Sequence, residues 1–437
     1  MSETLKFVPK FSDIRVENSE LKFVLSGNNE YGLDKSITNA IRRVLLTDVP
    51  TVGFKLTQNG EDNDLIMSTN ESSLHNEMLL HRISFIPLYL EPINYMRNHL
   101  FECKVIHDGI EPFKFITMND VQIYPLKSGF IERLDKLHDE SYDLSPEDER
   151  VLRDQLSVVN IENYDLNKPL SQKEKDKIYK PFDFRGNKHY CLITELKQTH
   201  TEDSYQEIHF YGSPSVGYGH EDAKFQGVSQ ATPSYQIDEK LVASVLKDKI
   251  KLEGIEKDDI DSYSRKFRLR EAERYFYRDN DDEPNSYDFS IKSVHHYDSS
   301  KILKVSIKIL IDICVQLKLE MIEFLKEKPS RISVSEKKEH IYHIDVEKET
   351  HTLGNLLQSH IMRRIVSDTT LVNLFGYKKP HPLENKILFI VSLNPTHKLV
   401  GGDDSTKIQN MFTFIIDCVD NLVDDLRVLS KLTDKTF

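Results

Sequence analysis

Close cysteine pairs are the first thing this 437-residue sequence lacks. Its four cysteines, Cys103, Cys191, Cys314 and Cys418, are widely spread with no C-x-x-C among them. A structural zinc site wants two close ligand pairs, so no metal is expected. The same spacing argues against a disulfide framework and for a reducing compartment. No run reaches the ~18 apolar residues of a membrane span. Residues Met1 to Lys10 hold no apolar stretch of the signal-peptide kind. A soluble intracellular protein without a membrane partner is therefore expected. An excess of basic charge is missing as well. With 58 Lys and Arg against 71 Asp and Glu, the formal net charge is −13. Phosphate backbones reward clustered cations, so nucleic acid is expected to be reached only indirectly, through partners.

Missing residues also weaken three motif readings. Gly217-Tyr218-Gly219 lacks the third glycine of a dinucleotide loop, so no nucleotide cofactor is expected. Asp279, Asp281 and Glu283 lead into Pro284 and Asn285, without the glycine and final glutamate of a calcium-binding EF-hand loop. His81-Arg82 has no nucleophile or carboxylate dyad nearby in sequence, which leaves a histidine held structurally by hydrogen bonds. What is present is ordinary for a globular chain: 38% hydrophobic and 30% charged residues. At roughly 100–200 residues per domain, two to four domains are expected.

Two stretches share one pattern of strand, amphipathic helix, strand and long helix. In the first, Leu21, Phe23 and Leu25 alternate, and the run from Gly27 through Tyr31 to Gly32 breaks the strand. Asp34 or Ser36 caps a helix whose apolar face is Ile37, Ala40, Ile41, Val44 and Leu45. The helix stops before Pro50, and Thr51 to Leu56 reads as a strand. In the second, Tyr342, Ile344 and Val346 alternate, Thr350 or Thr352 caps, and Leu353, Leu356, Leu357, His360 and Ile361 share a face. Leu371 to Tyr377 reads as the returning strand, ended by Pro380 and Pro382. The long helices run from Lys301 to Phe324, seamed by Leu310 and Leu317, and from Ile408 to Leu429, seamed by Ile415 and Leu422.

Asn39, Arg42, Arg43 and Leu46 fall beside the apolar face of the first helix. A ridge of this kind is either a solvated surface or a partner surface on which arginine pairs with carboxylates. The middle of the chain offers strands at Phe101 to Ile106 and Phe113 to Ile116. Cys191 to Leu196 and Gln206 to Tyr211 are expected to pair. Ser145 and Pro146 mark a helix start, and the Lys173 to Lys180 run reads as a solvated face.

The stretches T-H-T-L-G-N-L-L at Thr350 to Leu357 and F-G-Y-K-K-P-H-P at Phe375 to Pro382 resemble the small alpha-like subunit of DNA-directed RNA polymerases. Asn39 to Leu46 followed by Val49-Pro50-Thr51-Val52 resembles the first helix of the larger alpha-like subunit, with Asp48 in the acidic position one residue early. Asn70 to Glu77 and His81 to Leu88 continue that likeness. So does Gly217 to Val228, although Asp222 is inserted and Gly227 replaces a proline.

The resemblance implies an α+β fold of two pseudo-symmetric dimerisation domains joined in one chain, an arrangement also resembling fused subunits of large DNA viruses. The expected layout is a larger domain over 1–56 and 187–328, an inserted domain over 57–186, a linker over 329–340 and a smaller domain over 341–437. The implied role is a non-catalytic platform for two large catalytic subunits and small polymerase subunits. It contributes no catalytic residues, in keeping with the absence of the N-A-D-F-D-G-D metal motif. Asn39, Arg42, Arg43, Leu46, His220 and Lys224 are the implied docking residues. Ile41, Leu45, Leu310, Leu317, Leu353, Leu356, Leu357, Ile361, Ile415 and Leu422 are the implied intramolecular dimer contacts. Gly354 is expected where a neighbouring backbone approaches closely. Competing readings are a scaffold unrelated to transcription, and a small-molecule enzyme using His220, His295 or His296.

Overall fold

Alternation along Glu20–Ser26 puts Leu21, Phe23 and Leu25 on one face, and that face is buried. In the computed structural model this strand is an inner member of a four-stranded antiparallel sheet. The structure describes residues 7–138, 146–198, 205–294, 297–365 and 370–437, apart from 18, 31, 58, 59, 61 and 402. The expectations placed on Tyr31, Ser145, His295 and His296 lie outside them. The chain forms two compact units, one from Met1–Val49 with Val228–Phe437, the other from Pro50–Gly227.

The first unit contains both repeats. Its first sheet orders the strands Lys10–Glu17, Glu20–Ser26, Ser286–Ser293 and Val228–Tyr235. Its second orders Ile332–Lys338, Ile341–Glu347, Lys386–Leu393 and Val372–Lys378. Both sheets therefore run first, second, fourth, third in chain order. In each, a helix follows the second strand and a long helix follows the fourth. These helices are α1 (Lys35–Thr47), α2 (Ser299–Leu325), α3 (His351–Met362) and α4 (Asp404–Thr436). One apolar core draws on both sheets and all four.

Two expectations change here. The third strand of the first sheet is Val228–Tyr235, whereas Pro50–Gly53 pairs with Ser215–Tyr218 in the second unit. The chain leaves one unit at Pro50 and returns at Val228, so the packing division encloses more than 57–186. The stretch 329–340 is largely an edge strand, turning at His340 (φ 63°) to pair with Ile341–Glu347. Ile332 is buried in the common core, which is why this polar segment is ordered.

The long helices lie antiparallel. Lys304 reaches Asp434 at 3.4 Å, Lys318 reaches Asp420 at 2.6 Å, and Phe324 stacks on Phe412 at 5.2 Å. Partly exposed ion pairs contribute about 0–1 kcal/mol each, so they set register while the buried seam supplies the stability. The halves differ between their third and fourth strands. The second half has a short connection there, and the first carries a helical hairpin, Glu239–Glu253 and Ile260–Glu271, with a small core of Val242, Phe267 and Ala272.

In the second unit, Glu207–Gly212 lies between Leu65–Asn70 and His99–Ile106. Leu192–Lys197 pairs with Phe113–Thr117, not with Glu207–Gly212 as expected, because this brings Ile116, Ile193 and Leu196 into one core. Lys175 departs from the solvated-face reading. It is 4% exposed and donates to the carbonyls of Asn119 and Val121 at 3.3 and 3.0 Å. Burial pulls its pKa down.

Candidate docking site on the paired helices

The start of α1 is set by Asp34, whose carboxylate accepts from the Ser36 N–H at 2.8 Å. Its other oxygen accepts from the Ser359 hydroxyl of α3 at 2.6 Å, and Arg363 lies 3.7 Å away. Arg363 also donates to the Gly32 carbonyl at 3.2 Å. The start of α3 is set by Thr350, which accepts from the Thr352 N–H. The Thr352 hydroxyl in turn accepts from Arg43 Nε of α1 at 2.8 Å. Arg43 lies nine residues after the Asp34 cap, and Ser359 lies nine after the Thr350 cap. The helices thus exchange equivalent contacts, the later turns of each holding the first turn of the other. That is the logic of a twofold, self-complementary interface within one chain.

The docking ridge divides on this basis. Arg43 is occupied by the internal contact. Arg42 bonds Asn39 at 2.9 Å along its own helix and stays half-exposed. Partial burial, then the neighbouring Arg43, draws its pKa down. Leu46 is half-buried against the common core. His220 and Lys224 belong to the other unit, so the six residues are not one patch of one unit. His220 is exposed and stacks on Tyr218 at 5.4 Å. The inserted Asp222 caps the turn Ala223–Phe225 and pairs with Lys224 at 3.5 Å, and the Lys224 side chain is only 6% exposed. Gly217 is needed for packing: a Cβ there would meet the Phe225 ring at 2.6 Å. His81, expected to be held by hydrogen bonds, is exposed with its ring 6.4 Å from Phe85.

All ten residues read as internal dimer contacts are buried in the single core that spans both halves. Several polar contacts beneath them carry no sequence signal beyond residue type. His360 of α3 is buried, and its Nε2 accepts from Arg364 at 3.0 Å. Burial and then Arg364 push its pKa down to about 3, so the ring is neutral. Arg364 also approaches Asp425 of α4 at 3.9 Å, whose carboxyl burial raises to about 6.

Two models of the RNA polymerase Rpb3/Rpb11 dimerisation domain match this chain, over residues 29–314 and 342–431. The chain belongs to the Rpb3/Rpb11 family. Individual relatives are distant. The DNA-directed RNA polymerase II subunit rpb3 of Dictyostelium discoideum is 30% identical over 97 residues, covering 22% of this chain and 28% of that one. Subunit rpac1 of RNA polymerases I and III from the same organism is 28% identical over 116 residues, covering 25% and 28%. Human RPAC1 is 34% identical over 61 residues, covering 14% and 15%. The matches therefore span well under a third of these relatives. Among the described residues no group of three His, Cys, Asp or Glu is placed to hold a metal ion, and no helix is long and apolar enough to cross a membrane.

Where the two Rpb3/Rpb11 domains join, Glu320 near the end of α2 accepts from the Arg331 N–H at 3.1 Å and from its Nε at 3.0 Å. Burial opposes ionisation of Glu320, but these bonds and that of Gln316 outweigh it and hold its pKa low. Arg331 also lies 3.6 Å from Glu349, beside the α3 cap. Burial raises the Glu349 pKa to about 7, Arg331 opposes the rise, and Asp48 adds to it. A carboxyl whose folded value is raised contributes most below its unfolded value, near 4.5, and loses that contribution as pH climbs through about 7. Glu349→Gln should therefore match the parent below pH 4.5 and gain up to about 3 kcal/mol relative to it above pH 7. Urea unfolding of both proteins across that window measures the difference, and parallel pH curves would contradict it.

Proposed function

We propose that this chain is a non-catalytic assembly subunit of a DNA-directed RNA polymerase, carrying a paired Rpb3/Rpb11-type platform within one polypeptide. The observation that carries the reading is the reciprocal contact of α1 and α3 over a common core, which supplies internally the pairing the family domain is named for. Joining both halves replaces a concentration-dependent encounter with an intramolecular one, at millimolar effective concentration for a short connection. The proposal extends to docking of two large catalytic subunits, to small polymerase subunits as further partners, and to a subunit fusion that resembles those of large DNA viruses. DNA is reached through the assembled complex.

The geometry selects the docking test. Reversing Arg43 would break the internal contact with Thr352, whereas Arg42 presents its guanidinium without bonding the second half. Arg42→Glu should leave the thermal midpoint within about 2 °C of the parent, as surface changes typically do. It should weaken large-subunit recovery by at least about 30-fold, since a truncated interface charge pair costs ~2–5 kcal/mol. Native co-purification with quantified subunit ratios reads this out. Unchanged recovery would remove Arg42 from the docking surface, and recovery of the parent without any large polymerase subunit would overturn the assembly role.

A further inference from the structure

A groove of about 910 Å³ opens in the first unit where α1, α3, the edge strand Val228–Tyr235 and the end of the helix Ile260–Glu271 come together. Asn39 of α1 and Asn355 of α3 both line it. Each lies five residues after its helix cap, so they are equivalent positions of the two halves. The second half thus contributes Asn355 to a groove lined otherwise by the first half. One wall is the helical hairpin that the second half lacks.

The charge of that wall runs against the acidic balance of the whole chain. Between Arg265 and Arg278 there are six cations, Arg265, Lys266, Arg268, Arg270, Arg274 and Arg278, against two anions. Arg268 and Arg278 are spoken for, by Glu239 and Asp282, each at 2.9 Å. Arg270 and Arg274 are exposed, four residues apart, and line the groove without an ion pair among the described residues. Lys35 also lines the groove, but its ammonium is paired with Glu283 at 3.3 Å. An exposed Tyr235 also lines the groove, stacked on Phe276 at 4.7 Å, and offers a flat apolar surface. Thr38, Ser234 and the two asparagines add neutral groups that both donate and accept.

We propose that this groove docks an acidic peptide segment of a partner protein, its carboxylates on Arg270 and Arg274 and an apolar side chain against Tyr235. Arginine forks match carboxylates in a bidentate geometry, and the neutral rim suits a peptide backbone. Glu273 and Asp288 also face the groove. They interrupt the cationic surface and leave Arg270 and Arg274 as a short pair, which suits a few spaced carboxylates better than a nucleic-acid strand, whose affinity rests on uninterrupted cationic contact. The inference does not need the polymerase reading.

The test is fluorescence anisotropy on the full chain with three labelled probes: a twelve-residue peptide of Asp, Glu and Ser around one Phe, its Asn and Gln counterpart, and a twelve-nucleotide oligo-dT. Saturable binding of the acidic peptide alone is expected. The double variant Arg270→Glu/Arg274→Glu should raise its Kd by about tenfold or more, and the milder Arg270→Gln/Arg274→Gln should raise it less. Arg265→Glu/Lys266→Glu, on the same helix but outside the groove, should leave it within about twofold. No saturable binding by the parent, equal losses in both Glu pairs, or tighter binding of oligo-dT that depends on Arg270 and Arg274 would each overturn the proposal.

Discussion

Asp34→Ala is expected to lower the unfolding free energy by about 2–4 kcal/mol. The carboxylate is 5% exposed and carries three loads: the first-turn N–H of Ser36, the Ser359 hydroxyl and the Arg363 guanidinium. Loss of a helix cap costs ~0.5–2 kcal/mol and loss of a hydrogen bond to a charged group ~1.5–3. These terms share one side chain and do not add fully. Asp34→Asn keeps an acceptor for the cap while removing the charge, and should cost less than half as much. Because Asp34 belongs to the first half and Ser359 to the second, a double-mutant cycle with Ser359→Ala isolates the contact between them. A coupling of about 1 kcal/mol or more is expected. Zero coupling would mean that the bond does not hold the halves together.

Gly354→Leu is expected to cost about 3 kcal/mol or more. The expected close approach is made by a side chain rather than a backbone. A Cβ on Gly354 would sit 2.4, 2.7 and 2.9 Å from three ring atoms of Tyr377, including the atom nearest its backbone. The ring cannot simply swing away, since the Tyr377 N–H is held by Gln358 at 2.9 Å and the ring lies against His351. Overpacking typically costs ~1–3 kcal/mol, and leucine adds bulk beyond the first clashing atom. A sign reversal makes the cause testable. With Tyr377 intact, Gly354→Ala should destabilise. In a Tyr377→Ala background it should stabilise by up to ~1 kcal/mol, the difference in helix propensity between the two residues. Chemical denaturation of the four proteins decides it, and the same sign in both backgrounds would exclude the ring as the cause.

What could be read from the residues alone was whatever depends on near neighbours in the chain. The period of Ile37, Ala40, Ile41, Val44 and Leu45 marks α1. The alternation of Tyr342, Ile344 and Val346 marks a strand, and Asp34 and Thr350 mark the caps. Such signals arise from backbone geometry within one or two turns. The α+β class and the shared pattern of the two halves follow from them. Tertiary structure alone decided everything that joins distant segments. The chain re-enters the first sheet at Val228 rather than at Thr51, and the stretch before Ile341 becomes an edge strand, because a strand's partner is chosen by the face it buries. Arg43 turns from an outward ridge to Thr352, 309 residues away, and Lys175 goes inward because two carbonyls receive its ammonium. The ridge of α1 and its periodicity were legible, but whether each arginine faces a partner or the other half depends on contacts that no local pattern encodes.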